Sequence, residues 1–381
     1  MSLTIRAYNV LFGDSILVSW DEDDGEHHAW IDFGNFANDP NAVFKAVYED
    51  VKRLTKGVLD LVAITHRHLD HLEGFHSFRD QFAQEFQIER LWHAHVRPEL
   101  DNVFELANQS LLQLLPKEAR DSPGDIGMIY RNNEPIATSD RMTDILATFP
   151  VPAQDQHAIH RELELDTVAA LPTGLQRMKI EVLAPEEDSG VYLTPLVDAL
   201  APGDEVRSGL LAAVEANVEA ADLEDPSPFG GLADYERLRR KIRTGGVGVL
   251  AAVDRTRNNT SIVMRWTYDD DVRVLFTGDA EEKSWSVMQG NGVDFASDAL
   301  KVGHHGSINA SPAWAFDEVF PKVDARNVAV VSTNPTRFTG ENEVPKDEVV
   351  AGWTAKMQDP ARFLRTDDVP LGSSVSVTFP T

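Results

Sequence analysis

Cysteine is absent from the 381 residues. That removes disulfides and thiolate ligands and leaves histidine, aspartate and glutamate for any metal chemistry. Long apolar runs are also absent: no stretch approaches the roughly 18 residues of a membrane-spanning helix. Positive charge is scarce, with 35 Lys and Arg against 62 Asp and Glu, a formal charge of −27. Non-specific nucleic-acid binding draws on clustered Lys and Arg, so this balance argues against a broad DNA-binding surface. It leaves room for a small anionic substrate or short oligonucleotide, because bound divalent cations reverse the local sign. The N-terminal residues, Met1-Ser2-Leu3-Thr4-Ile5-Arg6, lack a basic region followed by an apolar one. They read as a first strand rather than a signal peptide, and a cytoplasmic location without membrane association is the expectation.

What is present is ordinary globular composition, 42% hydrophobic and 25% charged. The length suits one large domain, 1–381, carrying an insertion. Strand character opens the chain at Leu3–Tyr8, Ser15–Trp20 and His28–Phe33. Ala42–Leu54 has apolar residues at helical spacing. Leu59–Ile64 is short and nearly all apolar, as in a strand buried on both faces. A helix from Asp70 to about Phe86 and a strand Ile88–His93 follow. The pattern then loosens, with a helical piece at Val103–Leu115 and a polar stretch Asp121–Asp140. Between a strand at Met178–Leu183 and a hairpin at Ser261–Tyr268 and Val272–Thr277 lies a helix-rich acidic insertion, 186–245, with helices at Val206–Ala221 and Leu232–Ile242. Strand and helix alternate from Ala280 to a last strand at Ser374–Phe379. Strand runs followed by strand–helix alternation in each half predict an α/β fold, two sheets covered by helices in an αββα sandwich.

The chemistry concentrates at strand ends. Thr65-His66-Arg67-His68-Leu69-Asp70-His71 follows a buried strand and opens a helix. Alternate residues of an extended segment point the same way, so His66 and His68 can share one metal, while Asp70 and His71 serve a neighbouring position. Asp279, in Phe276-Thr277-Gly278-Asp279-Ala280, sits at another strand end, where a carboxylate can bridge two cations or cap a helix. Lys301-Val302-Gly303-His304-His305-Gly306-Ser307 places two histidines after a third apolar strand. Strand ends along one sheet edge converge in space, so these sites reinforce one another. His76 is expected to cap or pack its helix, and Lys301 to be a solvated strand-end lysine or a contact for an anionic substrate.

These motifs resemble the metallo-β-lactamase fold superfamily, whose His-x-His-x-Asp-His motif is matched by His66, His68, Asp70 and His71. Further matches are similar to the hydrolase domain of ComEC-type competence proteins. They are Gly13-Asp14-Ser15-Ile16, Asn258-Asn259-Thr260-Ser261, Leu275-Phe276-Thr277-Gly278-Asp279-Ala280 and Lys301-Val302-Gly303-His304-His305-Gly306-Ser307. The resemblance covers both ends of the chain and omits most of 97–177 and the insertion. It implies a metallo-β-lactamase-like αββα sandwich, one or two divalent metals (zinc first, manganese second) and hydrolysis by activated water. The superfamily's third histidine before the Gly-Asp element is missing, and Asn259, His93 or His95 stands in for it. After the aromatic-Gly pattern near the C-terminus, this chain has Phe338-Thr339-Gly340-Glu341-Asn342 where relatives carry a histidine.

The expected metal ligands are therefore His66, His68, Asp70, His71, Asp279 and one of His304 or His305. Asp70 would also orient the nucleophilic water, and the second histidine of the 304–305 pair would serve the leaving group. The leading expectation is a metal-dependent phosphodiesterase or phosphate-ester hydrolase. The alternatives are a lactone, thioester or β-lactam hydrolase, and a metal-stabilised interaction or defence-system component whose acidic insertion docks a protein partner.

Overall fold

The computed structural model describes residues 1–35, 41–96, 125–133, 135–192, 250–334 and 343–380. The helical pieces expected at Val103–Leu115, Val206–Ala221 and Leu232–Ile242, and the Phe338–Asn342 pattern, lie outside the described residues, as does most of the 186–245 insertion.

Two mixed sheets form the centre. The first holds β1 (Ser2–Tyr8), β2 (Ser15–Glu22), β3 (Gly25–Phe33), β4 (Val58–Ile64), β5 (Gln87–Ala94), β6 (Gln156–Ile159) and the last strand, β13 (Ser374–Pro380). Their order is β13-β1-β2-β3-β4-β5-β6, antiparallel from β13 to β3 and parallel from β3 to β6. The second holds β7 (Met178–Ala184), β8 (Val263–Tyr268), β9 (Val272–Phe276), β10 (Ala299–Lys301), β11 (Val328–Val331) and β12 (Phe363–Arg365). It runs β12-β11-β10-β9-β8-β7, with β9 to β12 parallel and β7 to β9 antiparallel.

The hydrophobic pattern dictates the layering. In β1, Leu3, Ile5 and Ala7 point alternately into a core that also takes Trp266, Val274, Phe276 and Val330 from the second sheet. That core glues the sheets face to face. β4 is apolar apart from Asp60 because both of its faces are covered. Leu61 and Ala63 join the inter-sheet core, and Leu59, Val62 and Ile64 face helices.

Helix α1 (Asn41–Thr55) lays Phe44, Val47, Tyr48 and Val51 on that outer face at helical spacing. It is joined there by α2 (Leu69–Ser77), α3 (Arg79–Glu85) and, beyond α4 (Asp125–Asn132), by α5 (Pro135–Thr148). After the helix at 250–259, here α6, the outer face of the second sheet is covered by α7 (Glu282–Gly290), α8 (Ala315–Val319) and α9 (Asp347–Thr354). The α/β expectation is met, as helix, sheet, sheet, helix.

Local differences have local causes. The single helix expected from Asp70 to Phe86 is two, broken at Phe78, whose backbone leaves the helical region (ψ 11°) while its ring packs on Tyr48. The polar stretch Asp121–Asp140 contains α4 and the start of α5. Short strands β6 and β12 fall below the length at which alternation is readable.

Parallel strands of both sheets bring their C-terminal ends to one edge, where ligands gather in α/β folds. The sheets meet tightly there. The Ile262 amide donates to Thr65 O at 2.9 Å. A side chain at Gly278, whose φ is +50°, would meet Ser261 and Thr65. Beneath the edge, Lys301 donates to Asp14 at 2.7 Å, both side chains buried. Lys301 is thus neither the solvated residue nor the substrate contact expected from sequence: it ties the second sheet to the first hairpin.

Candidate metal centre

Four side chains from three segments converge at the sheet edge. Asp70 and His71 open α2, Asp279 follows β9, and His305 follows β10. One ligand atom from each lies within 4.8 Å of the others, and all four residues are buried. His71 Nε2 is 3.2 Å from Asp279 Oδ2, and His305 Nε2 is 3.1 Å from Asp70 Oδ2.

The far nitrogens of both rings are pinned. His71 Nδ1 lies 2.8 Å from Asp32 Oδ2, and Asp32 is itself fixed by the Thr65 amide and hydroxyl, both at 2.7 Å. His305 Nδ1 faces Ser332 O at 2.9 Å; a carbonyl only accepts, so Nδ1 carries the hydrogen and Nε2 is turned to the cluster. Outer partners of this kind orient metal-ligating histidines.

Close backbone packing sets the angle of approach. A Cβ on Gly34 would lie 2.1 Å from the Asp70 carbonyl carbon and the His71 nitrogen, and one on Gly13 would lie 2.7 Å from Asp70 O. The Asp14 amide donates to Asp70 O at 2.9 Å. The glycines let the first hairpin and the end of β3 brace the motif loop directly.

His66 and His68 form an adjoining pair, with His66 Nε2 3.0 Å from His68 Nδ1. The second nitrogen of His68 faces Asn133 Oδ1 at 2.7 Å, and the Asn133 amide nitrogen donates to Asp254 at 2.5 Å and to Ile129 O. Those two acceptors orient the amide, so its oxygen must face His68 and receive the Nε2 hydrogen. The Nδ1 lone pair is thereby left toward His66.

Electrostatics separates these groups. Burial, with His71 and His68 nearby, holds His66 well below the ordinary histidine range, and burial pushes His68 down to about 3. Both are neutral and able to coordinate. Burial works against charge on His71, but Asp279, Asp32 and Asp70 outweigh it and raise His71 well above its usual value. Burial likewise opposes ionisation of Asp279, and the surrounding His71, His305 and His304 outweigh it, so Asp279 is held well below the carboxylate range. Asp70 is lowered in the same way, burial being overcome by His71 and His305.

A divalent cation fits this donor set. The cluster offers imidazole nitrogen and carboxylate oxygen without sulfur, a borderline combination suited to zinc or manganese. Asp70 Oδ1 is buried and has no hydrogen-bond partner among the described residues, an orphan acceptor that a cation would satisfy.

The structure separates the residues of the 304–305 pair. His305 belongs to the cluster. The His304 amide caps Asp279 Oδ1 at 2.8 Å, while its ring turns away to Glu281 at 3.1 Å. His304, Glu281 and Asp254 form a neighbouring group within 4.8 Å. Burial opposes charge on His304, but Glu281, Asp279 and Asp254 raise it to about 10. Beside this second group opens a cavity of about 380 Å³ lined by Phe12, Asp254, Arg255, Glu281 and His304 among others, and His305 of the first cluster lines it too. The Phe12 ring packs on His305 with centroids 3.9 Å apart.

None of the three stand-ins for the third histidine joins the cluster. Asn259 donates to Arg255 O and accepts from the Ser284 amide, which occupies both ends of its side chain. His93 faces Ala94 O, and His95 packs on His160. His76 links α2 to Asp144 of α5 at 3.0 Å. Sequence reading did not assign Asp32, Asn133, Asp254, Glu281 or Ser332. Glu281 had a signal, standing two residues beyond Asp279, and so did Asp32, a carboxylate closing an apolar strand before Gly34. Asn133, Asp254 and Ser332 carry none, being placed by tertiary packing alone. No protein-family model matches the chain, and no curated protein sequence matches it significantly.

Proposed function

We propose that this chain is a metal-dependent hydrolase of the metallo-β-lactamase type, acting on a small phosphodiester or phosphate ester. The single observation that supports it most is the buried Asp70–His71–Asp279–His305 cluster, of which His305 lines a cavity. The sequence motifs that resemble that superfamily include these four residues, and a two-sheet α/β architecture covered by helices is compatible with such a hydrolase.

In this reading His66, His68, Asp70, His71, Asp279 and His305 hold one or two divalent ions, zinc or manganese. A bound cation supplies Lewis acidity, polarising the scissile group and acidifying water at neutral pH. The chain's own residues do the rest. Asp32 and Ser332 O hold the His71 and His305 rings so that Nε2 of each faces inward. Asp70, which brings a buried carboxylate to the cluster, would also orient the attacking water. His304, outside the cluster and facing the cavity, gives its proton to the leaving oxygen. Phe12 excludes water from one side of His305 and offers a ring face to the substrate.

Substrate size follows from space and charge. A cavity of about 380 Å³ takes one nucleotide-sized group. The net charge of −27 disfavours a long polyanion. The substrate class draws on resemblance, the metal on the residues.

The test is hydrolysis of bis-p-nitrophenyl phosphate by protein loaded with Mn²⁺ or Zn²⁺, beside a panel of lactones, thioesters and β-lactams. Turnover of the phosphodiester that Asp279→Ala and His68→Ala abolish is expected. Turnover confined to the ester panel would replace the substrate class and keep the metal chemistry. A chain inert on both, with the metal bound, would leave the interaction or defence role as the better account.

A further inference from the structure

Helix α6 forms one wall of the cavity. Ala251, Asp254 and Arg255 all line it, and at spacings of three and four they share one helical face. The two charged residues of that face are used differently. Asp254 accepts from the Asn133 amide, and its Oδ1 lies 3.9 Å from His68 Nε2. Arg255 is exposed, and its Nε donates to the Ala251 carbonyl at 3.1 Å, one turn back along the same face. That bond fixes the near end of the guanidinium and leaves both Nη groups over the cavity wall.

The carboxylates at the cavity mouth have partners. Glu281 accepts from Asn258 Nδ2 at 2.8 Å and faces His304 Nδ1 at 3.1 Å, while Asp254 is taken by Asn133. The next arginine on α6, Arg257, is buried, and its Nη1 donates to Asn133 O at 3.2 Å. Elsewhere in this acidic chain arginines meet carboxylates: Arg161 meets Glu186, Arg177 meets Asp23, and Arg265 meets Glu181 and Asp294. Arg255 makes no ion pair among the described residues, although the chain carries 62 acidic residues. A guanidinium held in this way presents a planar fork of donors, whose match is a pair of phosphate or carboxylate oxygens.

We propose that Arg255 is the residue by which the cavity selects an anionic substrate, its Nη groups taking two phosphoryl oxygens. Arg255 and His305 line the same cavity, so an anion held by the first lies in the space that the second borders. The inference rests on the hydrolytic reading for the reaction, and it gives the substrate class a basis in this chain's own residues. A phosphate ester offers the fork a charged pair of oxygens, and an uncharged lactone or thioester does not. The guanidinium also offsets Asp254 and Glu281, whose charge would otherwise repel an anion entering a strongly acidic protein.

The experiment titrates the Mn²⁺-loaded full chain with inorganic phosphate in a calorimeter and measures kcat and KM on bis-p-nitrophenyl phosphate. Arg255→Ala should weaken phosphate binding and raise KM by about 10–100-fold, the loss of a charge-assisted contact, with kcat and metal content changed far less. Arg255→Lys keeps the charge without the fork and should recover part of the loss. Added guanidinium ion should restore phosphate binding to Arg255→Ala and leave wild type unaffected. The side chain is exposed, so both variants should melt as wild type does. Arg255→Ala protein that binds phosphate as tightly as wild type would overturn the proposal, leaving a solvated arginine only, whatever the chain hydrolyses. A wild-type chain that binds no phosphate would overturn it as well. Phosphate binding that falls in Arg255→Ala, on a chain inert toward the phosphodiester, counts against the hydrolytic reading and keeps the anion site.

Discussion

The cluster around Asp279 and the group at the cavity mouth use the same residue types and differ in how they are held. In the first, every side chain is buried, and both histidines are pinned through their far nitrogens, His71 by Asp32 and His305 by Ser332 O. At the mouth, Asp254 and His304 are partly exposed. The difference is one of preorganisation: a pinned donor set loses little freedom when an ion arrives, and a looser one loses more. Metal binding therefore suits the cluster around Asp279, and in the proposed reaction proton transfer falls to His304 at the mouth.

Several substitutions can break or sharpen that contrast. The largest effect is expected from Asp70→Asn, which removes a ligand from the cluster around Asp279. Hydrolysis should fall by well over the roughly 10–100-fold that loss of an outer partner costs, in a phosphodiesterase assay where Asp254→Asn falls far less. Gly34→Ala places a methyl 2.1 Å from the backbone of Asp70 and His71, so strand and motif loop must part. A loss of about 3 kcal/mol in stability, read by denaturant unfolding, should accompany weaker metal binding. Asp32→Ala frees the His71 ring and should weaken Zn²⁺ affinity by roughly 10–100-fold in calorimetry.

A buried histidine elsewhere supplies a control for the pH behaviour of the cluster. His28, on β3, faces Ser19 Oγ at 3.0 Å, and burial pushes it down to about 4 against the pull of Asp60. Between pH 6.5 and 4 the unfolded chain binds the proton and the folded chain refuses it. The His28 contribution to stability is therefore complete above about pH 6.5 and is lost as pH falls toward 4. His28→Gln should flatten that part of the stability profile measured by urea unfolding. The smallest effect belongs to His76→Ala: its contact with Asp144 is at the surface, so a change under about 1 kcal/mol is expected in the melting curve.

The reading of the sequence succeeded where chemistry and periodicity coincide. β4 could be placed because a strand covered on both faces is nearly all apolar, Asp60 apart, and the convergence of Asp70 and His71 on the sheet edge because ligand-type residues crowd the end of that strand. Asp279 and His305 were legible as strand-end residues, but the choice between His304 and His305 was not. Adjacent residues share every local feature, and only the fold shows that one ring turns inward and the other toward Glu281. Asn133 and Asp254 were invisible for a related reason: an amide in a polar stretch and a carboxylate beside two arginines on a helix look like surface until packing brings them against His68.

The account rests on a divalent ion held by the cluster around Asp279. The direct measurement is an anomalous difference map from a crystal soaked in zinc and recorded at the zinc edge. The account predicts a peak at about 2.0–2.2 Å from the Nε2 atoms of His71 and His305 and from carboxylate oxygens of Asp70 and Asp279. A map with no peak between those four side chains would contradict it.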